Sequence, residues 1–391
     1  MTISPPTSLA APQYDLDACR RRIPLLSTLI PMNNCSQAPQ SHATRAAAER
    51  YLDGWNTVGM DWDAWMDEVR LAKTEFARLI NASADDIAVF GSVSEATSAV
   101  ASAMDFGGAR RRVVVTEAEF PTVAHVWLAQ APRGATVTWA PVGSRGAAEL
   151  ASYAECIDET TSVVSACHGY YLNGALQDIR TIAGQAHAHG ALLFVDAYQT
   201  IGTVPVDVRA WDVDFLAAGN LKFLMGVPGI AFLYVRPDVA ARLQPMTTGW
   251  FGRANPFAFA ARELDWAPAA RRFDMGTPPV INAYIARAGM EMINQIGVPA
   301  IRAWLEVLGE RLIGGAAERG LRVHGGTDMA HKTATTAIVV DDSHHVELAM
   351  RAAGVLPSAR GPVVRLAPHF YNTIDDVDTA LDVLSTVTTR T

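Results

Sequence analysis

Between residues 86 and 235 the chain repeatedly sets a short, almost wholly apolar run beside a stretch of helical spacing. The runs are DIAVF (86–90), RVVVTEAEF (112–120), TSVVSACH (161–168), ALLFVDAYQ (191–199), VDFLAAG (213–219) and GIAFLYV (229–235). A sheet with one wet face alternates polar and apolar residues, whereas near-continuous apolar strands must be covered on both faces. Helical patterns such as DIRTIAGQAHAHG (178–190) supply that cover. The chain is thereby restricted to the α/β class, with a mostly parallel sheet flanked by helices.

The flanking regions read differently. SHATRAAAERYLDGW (41–55) and WDAWMDEVRLAKTEFARLIN (62–81) carry apolar residues at threes and fours, which predicts two helices. Lys73 lies in the second among charged residues and is expected on a solvated face. Beyond about 285 come a long helix, strands at LRVHG (321–325) and TATTAIVV (333–340), a helix, a strand at VVRLAPHF (363–370) and a last helix. That order predicts a smaller α+β domain. The Gly-, Pro- and Trp-rich stretch 245–280 connects the two. The expected organisation is an N-terminal arm (1–27) with a loose Pro/Ser-rich start, a large domain (28–284) and a small C-terminal domain (285–391).

Bulk properties remove several classes of function. Half of the 391 residues are hydrophobic, 18% are charged, and the net charge is −8. An acidic chain without a lysine-rich run is not expected to bind nucleic acid. No apolar run is long enough to span a bilayer, and the start lacks the basic-then-apolar pattern of a secretory signal. Cys19, Cys35, Cys156 and Cys167 are scattered, without a zinc-type spacing. A cytoplasmic location and no metal site are expected.

Against 29 arginines the chain has three lysines, Lys73, Lys222 and Lys332. Lys222 stands in AAGNLKFLMG (217–226), an apolar setting. A desolvated lysine amine can lose its proton and act as nucleophile or base, which a guanidinium cannot. In open α/β sheets ligands bind beyond the carboxyl ends of the strands. Asp196 follows one strand and Lys222 the next. GSVSEATS (91–98) opens a helix whose backbone N–H groups suit an anion, and Phe120 is expected at the end of another strand. Anion cradle, carboxylate, amine and flat apolar ring together suit pyridoxal 5'-phosphate (PLP). A charge pair about 4 Å apart at an effective dielectric of about 20 is worth about 4 kcal/mol, enough to keep a pyridine nitrogen protonated at neutral pH. Singly, Phe120 also fits a core position, Arg365 a surface cation and Ser94 a helix cap.

The order of these features resembles the class V aminotransferase family of fold-type I PLP enzymes, which includes cysteine desulfurases, kynureninase-like and isopenicillin-N-epimerase-like proteins. The central block LLFVDAYQTIGTVPVDVRAWDVDFLAAGNLKFLMGVPGIAFLYVR (192–236) carries most of the likeness, which runs from about 28 to 388. The resemblance implies that Lys222 bears the cofactor, Asp196 pairs with its ring nitrogen, Gln199 contacts its ring hydroxyl and Phe120 stacks on it. Val93 and Ser94 would bind its phosphate. Thr277, in RRFDMGTPP (271–279), would reach the phosphate in a partner subunit, which implies a homodimer with shared sites. Arg365, in VVRLAPHFYNT (363–373), would hold the substrate carboxylate by a two-point pair. His168, Tyr170 and Tyr171 would face the cofactor edge, and Trp250 and Phe251 would line the pocket from the partner.

Two departures stand out. The family's usual Ser-Gly-His before the lysine is replaced by Gly219, Asn220 and Leu221, leaving the Asn220 amide as the substitute phosphate contact. RAAGVLPSARGP (351–362) lacks the desulfurase cysteine, and Cys35, in a loop near the site, is expected to be a pocket wall. The expected function is an aminotransferase-like PLP enzyme acting on a small or modified amino acid through an external aldimine and quinonoid. The alternatives are a C–S or other β-lyase, a decarboxylating or epimerising enzyme of the same fold, and a non-catalytic PLP-binding protein.

Overall fold

The computed structural model describes residues 11–143 and 146–389. The first ten residues of the expected loose arm lie outside them. After the two-residue strand β1 (Ile30–Pro31), seven strands form the main sheet: β2 (Ile87–Phe90), β3 (Arg112–Thr116), β4 (Thr136–Ala140), β5 (Thr161–Cys167), β6 (Leu192–Asp196), β7 (Phe215–Gly219) and β8 (Ala231–Val235). Their spatial order is β2-β8-β7-β6-β5-β3-β4. The steps β7-β6-β5-β3-β4 are parallel, and β8 runs antiparallel to both β7 and β2. Every residue of β2, β7 and β8 is buried, as continuous apolar runs require. Edge strand β4 buries only Ala140, so its sequence carried no such run.

Helices Val93–Ala103, Pro121–Leu128 and Ile179–Ala188 cover the sheet. Helix Trp62–Leu79 packs on helix Val280–Ile296, and its Phe76 ring stacks on Phe232 of β8 at 4.8 Å. One expectation about this helix is overturned. Lys73 is not on a solvated face: its Nζ lies 2.8 Å from Asp274 in a largely buried ion pair. The other oxygen of Asp274 accepts the N–H of Val89 on β2. The neighbours of Lys73 in sequence are charged, but its partner comes from 201 residues away.

The second sheet is antiparallel and includes β9 (Val323–His324) and β10 (Thr336–Val339). Next come β11 (Val355–Leu356), β12 (Ser358–Arg360) and β13 (Val363–Leu366). Its order is β12-β13-β10-β9, while β11 pairs in parallel with β1. The expected strand 363–370 thus stops at Leu366. The chain from Tyr14 onward is tied to the C-terminal region. Tyr14 donates to the Phe370 carbonyl at 2.6 Å, and Arg20 pairs with Asp376 at 2.8 Å.

Candidate active site

The site forms where neighbouring strands end. Asp196 is the last residue of β6 and pairs in register with Ala217 of β7, which ends two residues later. The chain then turns and presents Lys222 to the same cleft, which Glu119, Phe120, Cys167, Tyr171, Tyr198 and Gln199 also line. Sequence order alone placed amine and carboxylate together, because β6 and β7 are adjacent.

Tyr198 fixes the lysine. The Lys222 amine lies 4.0 Å from the Tyr198 ring centroid and 5.7 Å from that of Phe120. The Tyr198 ring crosses so close to Gly219 that any Cβ there would collide with it. Burial lowers the Lys222 pKa to about 8; Asp196 and Cys35 oppose the shift, and Arg365 and Arg360 add to it.

Two carboxyl groups lie side by side. Burial raises the pKa of Asp196, while the Tyr198 N–H at 2.8 Å and the Lys222 charge pull it down. Glu119 is pushed well above the carboxylate range, first by burial and then by the Asp196 charge. Its Oε1 accepts the Phe120 N–H at 3.0 Å, and its buried Oε2 has no hydrogen-bond partner. Of the two, Glu119 holds its proton more tightly, and Asp196 is the more acidic member. Glu119 had not been anticipated; its only sequence signal is its place beside Phe120.

Phe120 does not end a strand. β3 stops at Thr116, and Pro121 starts helix Pro121–Leu128, where a fixed φ and a missing N–H cost nothing. Phe120 is 40% exposed and meets Tyr171 edge-on at 5.2 Å, so it is not a core residue. Beside it two helices begin. Ser92, not Ser94, caps helix Val93–Ala103 by accepting the Glu95 N–H. That leaves Ser94 to meet Thr122, at the start of the other helix, at 3.2 Å. Val93 is the buried first residue of its helix. Two helix starts with free N–H groups and two hydroxyls make an anion-binding corner.

The remaining predicted residues divide. Gln199 lines the cleft and donates to the Cys35 carbonyl at 3.1 Å, while the Cys35 side chain packs with Phe223 and Ala367. Arg365 is buried, 1% exposed, and not a surface cation. It donates to the Tyr171 carbonyl (2.6 Å), the Ser358 carbonyl (3.4 Å), Ser358 Oγ (2.6 Å) and Ser36 Oγ (3.1 Å). Four of its five N–H donors are thus engaged, so the expected two-point grip is reduced to one free donor. Asn220 does not line the cleft: it is fully buried against Gly226, and neither amide atom has a partner. His168 points away as well. It sits buried against Trp211 with Nδ1 2.9 Å from Thr200 Oγ1, and burial pushes its pKa down to about 3. Tyr170 is buried too, its hydroxyl held by the Ala148 N–H and Gln177. Cys167, Gly169 and Tyr171 line the cleft instead. Thr277 is exposed, and Trp250 and Phe251 sit in an aromatic cluster with Trp62 and Phe257; none of the three lines this cleft.

Residues 38–379 match the family described as Aminotransferase class-V. An uncharacterized aminotransferase, YcbU, of Bacillus subtilis is 37% identical over 374 residues, spanning 94% of this chain and 97% of that protein. The chain belongs to the class-V aminotransferase family. That makes it an enzyme of a PLP-dependent family, as the site residues had implied. Among solved structures, the apo cysteine desulfurase of Thermococcus onnurineus aligns with a TM-score of 0.87 at 21% identity, covering 96% of this chain and 98% of that one. A C-DES variant with glycine covalently linked to its PLP cofactor aligns with a TM-score of 0.86 at 17% identity, over 94% and 98%. These two likenesses establish the fold.

Proposed function

We propose that this enzyme uses PLP to transfer the amino group of a small or modified amino acid. One observation carries the reading: Lys222, its pKa lowered to about 8, shares a cleft with the buried carboxyl group of Asp196 at the end of the adjacent strand. The site fits the cofactor. Lys222 would hold its aldehyde, Asp196 its ring nitrogen, Phe120 its ring face and Gln199 its ring hydroxyl. Val93, Ser94 and Thr122 would take the phosphate at the two helix starts. Bound there, PLP supplies covalent capture of an amine and an electron sink for the substrate α-carbon.

The chain's own residues do the rest. The Tyr198 N–H and the Lys222 charge favour the ionised form of Asp196 against its burial, and a protonated ring nitrogen beside it would favour that form further. The Lys222 amine, with a proton affinity near neutrality, takes a proton from carbon and returns it. Arg365 offers its free N–H to the substrate carboxylate. Phe120 and Tyr171 wall the cleft against water.

Release of a β-substituent is the second reading, because an amine with a pKa of about 8 can give its proton to a leaving group as readily as to carbon. A persulfide route is not favoured, since 351–362 contains no cysteine. The same reading makes the enzyme a cytoplasmic homodimer with shared sites. Support comes from exposed Thr277 and from the exposed apolar side chains of Trp55, Val58, Met60, Phe257 and Phe259. No helix among the described residues is long and apolar enough to cross a membrane. The test is incubation with an amino-acid panel. Pyridoxamine phosphate with a keto acid supports transamination; pyruvate with a released thiol and no pyridoxamine form refutes it in favour of the lyase.

A further inference from the structure

Arg365 is not the only guanidinium whose charge reaches Lys222. Its guanidinium is held by Ser36, Ser358 and the Tyr171 carbonyl and keeps one free N–H. A second guanidinium stands beside it. Arg360 ends β12, which pairs antiparallel with β13 so that Ser358 faces Arg365 and Arg360 faces Val363. Residues two apart on a strand share a face. The Ser358 hydroxyl contacts Arg365, so this face is the one that carries Arg365, and Arg360 lies on it as well. Positions 360 and 365 are diagonal neighbours across the two strands, roughly 7–8 Å apart at the backbone. Arg360 is exposed and, among the described residues, its guanidinium has neither a hydrogen-bond nor an ion-pair partner. Both guanidiniums lower the proton affinity of the Lys222 amine, so both are felt at the cleft.

An amino acid with a neutral side chain brings one carboxylate for these two cations. We propose that Arg360 holds a second anionic group of the substrate, so that the enzyme selects amino acids with an acidic side chain. This rests on the proposed PLP chemistry at Lys222. An exposed guanidinium with all five N–H donors free is suited to a two-point pair with a side-chain carboxylate. The held Arg365 is left to orient the carboxylate on the reacting carbon. A neutral amide of the same shape has one acceptor oxygen but sets its NH2 against the second Arg360 N–H and lacks the charge, and selectivity follows from that half-matched contact.

The test uses the PLP-loaded enzyme with aspartate and glutamate against asparagine and glutamine. It reads the change of the cofactor's visible band and kcat/KM for wild type, R360Q and R360K. Arg360 is exposed, so neither variant threatens the fold. The expected result is that wild type prefers an acidic amino acid over its amide. R360Q should lose roughly ten- to hundredfold in kcat/KM for the acid, as for loss of a charged hydrogen bond, with the amide unchanged, and R360K should lose less. Equal losses for acid and amide would assign Arg360 to the α-carboxylate and overturn the proposal. Weakened retention of PLP by R360Q, measured by equilibrium dialysis, would assign it to the cofactor phosphate and overturn it equally. A wild type with no preference for acids also overturns it, while the PLP reading stands. If neither acid alters the band, this proposal is overturned, and the PLP reading falls with it only if borohydride reduction also fails to label Lys222.

Discussion

Desolvation disfavours the charged form of both Lys222 and Glu119, but their effects on stability run in opposite directions. The folded pKa of Lys222 is about 8, against 10.5 for the free side chain. Between those values the unfolded chain binds more protons, so stability of the cofactor-free protein rises with pH across that window. The variant K222M should raise the melting temperature of the apoprotein by a few degrees at pH 7, and the gain should shrink between about pH 8 and pH 10.5. A gain that does not change with pH would mean that Lys222 is not desolvated. Glu119 has a raised folded pKa. Here the folded state binds more protons, so stability is lost as pH rises above the ordinary carboxyl range. E119Q should therefore melt increasingly above wild type as pH climbs from about 4.5 to 7 in thermal scans. Parallel curves would show that Glu119 ionises normally.

The strand ends are the elements that make the site, and they allow little freedom. Gly219 closes β7 under the Tyr198 ring. G219A should cost about 1–3 kcal/mol in denaturant unfolding, as overpacking does, and should lower PLP uptake by moving Tyr198 off Lys222. Unchanged stability and uptake would contradict the role given to that contact. Much of this level was legible in the sequence. Strands β5 to β8 announced themselves by continuous apolar runs, and Asp196 and Lys222 followed from them. Edge strand β4 did not, because its outward residues are not buried. The apolar run predicts a strand through Phe120, but the proline after it starts a helix and β3 stops at Thr116. His168 and Tyr170 lie beyond the end of β5 at Cys167, where the chain turns and leaves Cys167, Gly169 and Tyr171 on the cleft side. The engagement of Arg365 by Ser36 and Ser358 had no sequence signal, since Ser36 is 329 residues away.

At the scale of the whole molecule, the chain is held together by contacts between its distant ends, with β1 beside β11 and Arg20 on Asp376. The exposed aromatic side chains around Trp55 and Phe259 leave a surface that a second copy would cover. Sedimentation should give a species of twice 42.0 kDa; a monomer at micromolar concentration would contradict the shared-site reading. Mixing K222M with T277V should restore activity, because one site in each mixed dimer regains both residues. No recovery in verified mixed dimers would place Thr277 outside the active site. The central claim is covalent attachment of PLP at Lys222, and borohydride reduction of the purified, PLP-loaded protein followed by peptide mapping tests it most directly. The account predicts that the visible band disappears and the reduced cofactor is found on Lys222 alone; label on Lys73 or Lys332, or no label at all, would contradict it.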